Sequence, residues 1–361
     1  MKKKTIIKIL CISFVGMFFL YQGSHFLMRR FNSNDRDVWN VDRDMEFNFE
    51  REPGDLEGLE INRVYYGTEN YELWVGGFAG ESYDMEIPYF RMETSQDRLN
   101  ASINNTTSHR FNAILKVFYN YEEVEFRISG SDVYNTEFLF AIEPGYYYQI
   151  PFHLDPDLEA HDGFSKLTLA VYFQPDEYAM FQQSAHYMPA TALNFEINYG
   201  GDNPPEIEKF THEIIEKPTW HGVGNHNLII TQSGDLTYEN IGHPGRPLKV
   251  KAGERIELDF ATNMSGIFRN SFTTNYIPTT DYLIIGLLDF NQVQINGRPF
   301  LWVPVDNDVT HFGSFYFYAP MEEGLYDFNA IIIPNPTMQM SWDSFLPLER
   351  SMRFTIEVVA Q

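Results

Sequence analysis

The chain has one cysteine, Cys11, and it falls inside the first apolar run. No intrachain disulfide is available to anything that follows, so stability has to come from packed cores. Its position within the run, not after it, also excludes a lipoprotein attachment site. Alanine is missing before Ala79, which removes the small-residue pattern that signal-peptide cleavage needs. Catalytic signatures are missing too. There is no G-x-S-x-G, P-loop, G-x-G-x-x-G or H-E-x-x-H, and His212-Glu213 is followed by Glu216 where a zinc protease would place its second histidine. Positive charge is scarce: 26 Lys/Arg face 50 Asp/Glu, and six of the cations lie in the first thirty residues. The remainder therefore carries a formal charge of −30, which repels nucleic-acid backbones. It suits divalent cations or basic partners and keeps an exported protein soluble.

Lys2-Lys3-Lys4 precedes an apolar run from Ile9 to Tyr21, and Arg29-Arg30 follows it. This run of thirteen mostly apolar residues falls short of the roughly 20 of a spanning helix. Extension to Met28 reaches twenty by including Gln22, Ser24 and His25. Length favours a signal peptide, whereas the missing small-residue site favours a retained signal-anchor, which is the preferred reading. The leading lysines stay cytoplasmic under the positive-inside bias, so the C-terminal bulk is exported; cleavage would make it secreted. Residues 31–56, with eight acids against three arginines, read as an acidic juxtamembrane tether.

Beyond residue 56, 43% hydrophobic and 16% aromatic content over the whole chain indicates packed domains, not disorder. Short runs rich in β-branched and aromatic residues alternate with Gly, Asn, Asp and Pro clusters. The strongest break is Asn198–Pro205. Helix is expected only at Pro205–Glu216 and near Pro175–Ser184. The two strand sets align with each other: Ser95–Leu99 with Ala252–Ile256, Leu115–Val124 with Ile284–Val293, and Gly163–Pro175 with Gly324–Pro336. At that last spacing Leu193, Phe195 and Ile197 meet Phe354, Ile356 and Val358. The expected fold class is all-β, with two tandem β-sandwich domains, 57–200 and 201–361, the second a repeat of the first.

Gly163-Phe-Ser-Lys-Leu and Gly324-Leu-Tyr-Asp-Phe resemble the glycine-led entry into a late strand of immunoglobulin-like and fibronectin-like sandwiches. Val250-Lys-Ala-Gly-Glu-Arg-Ile-Glu-Leu resembles their early hairpin. The resemblance implies a fold and no function, because the cysteine pair and core tryptophan of antibody domains are missing.

Three groups of residues are candidates for chemistry. His212, His221, His226 and His243 crowd near the expected junction, where imidazoles suit zinc or copper; ordinary loop histidines are the plainer reading. Asp155, Asp157, Glu159 and Asp162 alternate in a way that suits calcium, although Ala160 stands where an EF-hand loop has glycine; Asp306-Asn-Asp308 is a shorter counterpart. A solvated loop is the plainer reading there. The aromatic runs Tyr146–Tyr148 and Phe315–Tyr318, with Trp74, Trp220, Trp302 and Trp342, offer either binding platforms or core filling. A ligand site at the junction would use Trp220, His221 and His226, whereas a structural Trp220 would plug the interface.

These features point to a membrane-tethered, exported, non-catalytic module for a cell-surface polymer, partner protein or membrane complex. No cofactor is required, calcium aside. The alternatives are an exported hydrolase with a site at the domain junction, with or without metal assistance, and a structural spacer.

Overall fold

In the computed structural model, described residues are 60–63, 71–77, 90–105, 110–144, 146–158, 163–178, 190–204, 207–208, 215–218, 229–232, 247–263, 267–269, 276–278, 281–304, 309–338, 349–351 and 353–361. Every regular element among them is a strand, which makes the protein all-β. The first eleven strands are β1 Glu60–Arg63, β2 Tyr71–Gly77, β3 Phe90–Arg91, β4 Leu99–Asn105, β5 Phe111–Tyr119, β6 Glu122–Glu123, β7 Phe126–Ile128, β8 Glu137–Ile142, β9 Tyr146–Leu154, β10 Phe164–Phe173 and β11 Ala190–Asn198. The rest are β12 Ile215–Pro218, β13 Ile229–Gln232, β14 Leu248–Lys251, β15 Arg255–Asn263, β16 Ile267–Arg269, β17 Tyr276–Pro278, β18 Asp281–Leu288, β19 Asn291–Val293, β20 Leu301–Pro304, β21 Val309–Tyr318, β22 Gly324–Pro334, β23 Glu349–Arg350 and β24 Phe354–Val359.

Of the five sheets among the described residues, β16-β17 is a two-stranded ribbon, and the other four have strand orders that come in matching pairs. An outer sheet β1-β9-β4-β2, with β7 on β9, faces an inner sheet β3-β11-β10-β5-β6, with β8 on β5. Further along the chain, β12-β21-β15-β13 faces β14-β24-β22-β18-β19, with β20 on β18 and β23 on β22. Even the parallel pairs recur, β3 on β11 and β14 on β24. Leu115 pairs with Val171 as Ile284 pairs with Ile332. The last strand is the exception to the sequence alignment. Leu167 sits opposite Phe195, and its counterpart Phe328 sits opposite Phe354, so Phe195 corresponds to Phe354 at a spacing of 159 residues, not 161. Side chains alternate with period two along a strand, so a two-residue shift leaves the apolar pattern unchanged and sequence cannot detect it.

Three apolar layers separate the four sheets. Ala101, Phe152, Leu169 and Val171 fill the first, and Leu258, Phe317, Phe328 and Ile356 fill the third. The middle layer joins Ile114, Phe118, Tyr121, Ala170 and Tyr172 of one inner sheet to Leu283, Ile285, Phe290, Trp302 and Ile331 of the other. The inner sheets are thus buried on both faces, which explains why all of β10 is buried and why β18 is buried from Tyr282 to Leu288. Strands covered on both faces lose the apolar–polar alternation of a half-exposed sheet. Each large side chain in the middle layer stabilises by roughly 1.5–3 kcal/mol. Parting the two inner sheets would therefore cost as much as the ~5–15 kcal/mol stability of a whole domain.

Polar groups cross this seam in a near-symmetric exchange. Lys166 pairs with Glu196 at 2.5 Å and donates to the Met338 carbonyl of the other half at 2.6 Å. Its counterpart Asp327 pairs with Arg353 at 2.7 Å, and Arg353 donates to the carbonyls of Phe173, Gln174 and Glu177 at 3.2, 3.3 and 2.7 Å. Burial pulls the Lys166 ammonium below its usual pKa, against the opposing pull of Glu196. Buried Lys116 meets Glu123 at 2.5 Å and reaches Asn291 at 3.1 Å. Glu123 and Gln292 exchange hydrogen bonds of 2.6 and 3.0 Å.

The two-residue turns Asn120-Tyr121 and Asp289-Phe290 have positive φ at both positions, 48° and 71° in one and 47° and 68° in the other. That conformation suits Asn-Gly and is unfavourable for an aromatic residue. Here it drives Tyr121 and Phe290 into the seam, where Tyr121 donates to the Pro336 carbonyl at 2.8 Å and Phe290 lies 5.0 Å beneath the Arg353 guanidinium.

Two expectations change. Ile215 and Glu216, at the end of the expected helix, belong to β12 paired with β21. Pro175–Tyr178 forms a turn and an isolated bridge, not the start of a helix. Ile207 and Glu208, also inside the first segment, are not helical; the remaining residues of both segments lie outside the described residues, as do Lys2–Lys4, Ile9–Tyr21 and the 31–56 tether. Among the described residues no helix is long and apolar enough to cross a membrane.

Replacing Lys166 with Met strands the Glu196 carboxylate in the seam, and denaturant unfolding should show a loss of about 3–5 kcal/mol. Lys166→Met combined with Glu196→Leu should recover most of it. A single-variant loss below about 1 kcal/mol would mean that the pair is solvated.

Candidate functional site

The outer sheet of β12, β21, β15 and β13 turns one row of side chains into its core and the other outward. Ile256, Leu258, Phe315 and Phe317 point inward. On the opposite face Arg255 pairs across the strands with Tyr318, Glu257 with Tyr316, and Asp259 with Ser314. The Arg255 guanidinium lies 3.9 Å from the centre of the Tyr316 ring, and its NH2 group is 2.7 Å from the Glu257 carboxylate. The Tyr316 and Tyr318 rings meet edge to face at 5.9 Å. Tyr318 is 63% exposed. The Tyr316 backbone is held on its far side by Asn296, whose Oδ1 accepts the Tyr316 N–H at 2.8 Å and whose N–H reaches the Tyr316 carbonyl.

This ladder extends toward the turn between β14 and β15. Ala319 N donates to the Glu254 carbonyl at 2.8 Å and Gly253 N to that of Pro320 at 3.1 Å, which fastens the end of β21 to the turn. Met321, 72% exposed, stands just beyond. Of the aromatic runs singled out from sequence, Phe315–Tyr318 thus divides by strict alternation, while Tyr148 is buried in the first core and Trp302 in the seam. Trp302 donates its indole N–H to Asp281 at 3.1 Å. It is core, not platform.

The corresponding place on the other outer sheet holds a different set. His153 of β9 donates Nδ1–H to the Gln96 carbonyl at 2.7 Å. Only an acceptor is present there, so Nε2 is the free lone pair and takes the Ser129 hydroxyl proton in a 3.0 Å bond. Arg127 donates to Tyr134 at 2.9 Å, and Tyr134 to the Gln96 side chain at 3.0 Å. A serine beside an oriented imidazole is the geometry of an activated nucleophile. Here, however, Ser129 is buried, and its own N–H and that of Ser131 are spent on the carbonyls of Pro151 and Ile128. The group anchors β7, β9 and the turn before β4 to one another.

Burial lowers the His153 pKa most, the Gln96 hydrogen bond raises it, and Arg127 and Arg98 lower it further. A depressed folded-state value means that folding favours neutral imidazole. Its contribution is complete above the ordinary value of 6.5 and is lost as the pH falls toward the folded-state value. The stability of the wild type should therefore decline on the acid side of neutrality more steeply than that of His153→Gln, measured by denaturant unfolding at several pH values. Identical slopes would show that His153 is already solvated.

Asp155 and Asp157 occupy the turn after β9, where Asp155 Oδ1 accepts the Asp157 N–H at 2.8 Å. That bond closes a local turn. Glu159 and Asp162 lie outside the described residues, as do Asp306-Asn-Asp308, Trp220, His221, His226, His212 and His243. Among the described residues no three His, Cys, Asp or Glu side chains are grouped to hold a metal ion. Sequence patterning could not single out Arg255 or Glu257, because alternating charges on a strand are the ordinary mark of a solvated face. Their partners became visible only with the strand register.

No protein-family model matches the chain, and no curated protein does either. Among solved structures there are distant likenesses. A transglutaminase of red sea bream matches at 11% identity over 82% of this chain, with a TM-score of 0.20, and this chain spans 32% of that protein's length. The C-terminal domain of the Streptococcus agalactiae AgI/II polypeptide BspA matches at 10% identity over 80% of this chain and 100% of its own, with a TM-score of 0.20. The Escherichia coli chaperone DraB matches at 11% identity over 80% of this chain and 98% of its own, with a TM-score of 0.23. At such scores none of these likenesses carries weight for fold or function.

Proposed function

We propose that this protein is a membrane-tethered, exported, non-catalytic binding module. Its two halves are duplicated immunoglobulin/fibronectin-like sandwiches, spanning 57–200 and 201–361, that present outer sheet faces to a cell-surface polymer or partner protein. The observation that carries the reading is the outward ladder of Arg255, Tyr316 and Tyr318, where a mostly exposed aromatic ring stands on a sheet fixed by a fully packed core. Aromatic and arginine side chains on a rigid support are favoured contact groups. Strand order repeated across both sheet pairs supports duplication. The Lys2–Lys4 cluster ahead of Ile9–Tyr21 supports the tether, and the unbroken seam supports a rigid presenter in place of a hinged catalytic cleft. Calcium, if bound, belongs to the Asp155–Asp162 run, and Trp220, His221 and His226 belong to the same reading as a second contact.

Capture from solubilised cell envelopes by the full-length chain provides the test. An envelope polymer or protein should be retained by the wild type and lost from Arg255→Ala/Tyr316→Ala at unchanged melting temperature. Equal retention by both would move the contact elsewhere, with Trp220→Ala as the next variant. If the wild type retains nothing, the chain is a spacer.

A further inference from the structure

Resting on the proposed reading of this face, we propose that the end of the ladder around Tyr318 is a docking site for a basic polypeptide segment, with a Lys or Arg side chain of the partner seated on the Tyr318 ring. The protein already contains the prototype of that contact. Arg255 lies 3.9 Å above Tyr316 with Glu257 held to it at 2.7 Å, a guanidinium between an aromatic face and a carboxylate. Tyr318 is the next outward ring on the same strand, and no cation among the described residues lies over it. It is 63% exposed, with Met321 beyond it at 72%.

The surroundings select the sign of the partner. The backbone bonds from Ala319 to Glu254 and from Gly253 to Pro320 bring the turn before β15 beside the end of β21. Glu254 and Glu257 on one side, and Glu322 and Glu323 following Met321, are all exposed. Lys251 and Arg255 are cations of this corner, and Arg255 is committed to Glu257. A cation entering here gains a ring face in a corner where carboxylates outnumber cations, an excess that disfavours an anionic polymer. The formal charge of −30 beyond residue 30 steers a basic partner toward the protein and speeds encounter. Met321 and the Tyr318 ring edge suit the aliphatic stems of lysine and arginine, which cover apolar surface while the head group stays charged.

The test uses the full-length chain in a non-ionic detergent, with a short oligo-arginine peptide as the probe and fluorescence anisotropy as the readout. The peptide should bind, and more weakly as salt rises. Tyr318→Ala should lower the affinity about two- to fivefold, the range of an exposed cation–ring contact. Tyr318→Phe should retain it, and Val133→Ala, a change at an exposed apolar residue elsewhere, should leave it unaltered, all at unchanged melting temperature. Equal affinity of wild type and Tyr318→Ala would overturn the proposal, because the peptide would then be held by diffuse charge alone. Binding of a soluble neutral glucan that depends on Tyr318, with none of the peptide, would overturn it in favour of a polysaccharide platform. If envelope capture persists while the peptide fails this test, only the basic partner is wrong. If capture is also absent, the binding-module reading itself falls.

Discussion

The fold depends on burying both faces of two sheets at once. A sheet in an ordinary sandwich offers one face to its partner and leaves the other to water. Here the inner sheets meet through Phe118, Tyr172, Leu283 and Ile331, so neither half has a solvated inner face to fall back on. The halves are therefore stabilised jointly. Among the described residues the two halves meet in a packed seam.

Charge secures what apolar packing alone leaves free to slide. An interface of aliphatic side chains tolerates displacement, whereas Lys166 and Arg353 each satisfy a carboxylate of their own half and carbonyls of the other. Buried ion pairs are costly to desolvate and contribute little net stability, so their value lies in fixing one arrangement over its neighbours. The inverted signs of Lys166 and Asp327 at corresponding positions serve the same end, because each half then supplies a cation to the other. The left-handed turns at Tyr121 and Phe290 add strain that is held only while the seam is closed.

A four-layered stack relegates interaction to the outer sheets, where the two halves differ. One corner holds a histidine clasped between Ser129 and Gln96. The corresponding corner holds an open tyrosine on an arginine-stacked ladder. The first arrangement satisfies its own polar groups, while the second leaves a ring face toward solvent. Only the second has contact capacity to spare.

Much of this was legible in the residues. Short alternating runs between Gly and Asn clusters require strands, and a chain without a usable disulfide must pack large cores. The equal spacing of Gly163–Pro175 and Gly324–Pro336 already aligned β10 with β22, because both turn at the same distance from a glycine. The runs Leu167–Phe173 and Leu283–Leu288 are apolar but for Thr168, yet a local pattern cannot say whether a second surface covers their other face. That decision belongs to tertiary structure, as does the use of Lys166 and Arg353, whose charges read as surface groups until the opposing half removes water from them. The candidate site follows the same division. The alternation of Phe315–Tyr318 sent its rings to opposite faces of the strand, while the tertiary structure placed Arg255 over Tyr316 and left Tyr318 open, since side chains meet across strands by pairing and not by sequence distance.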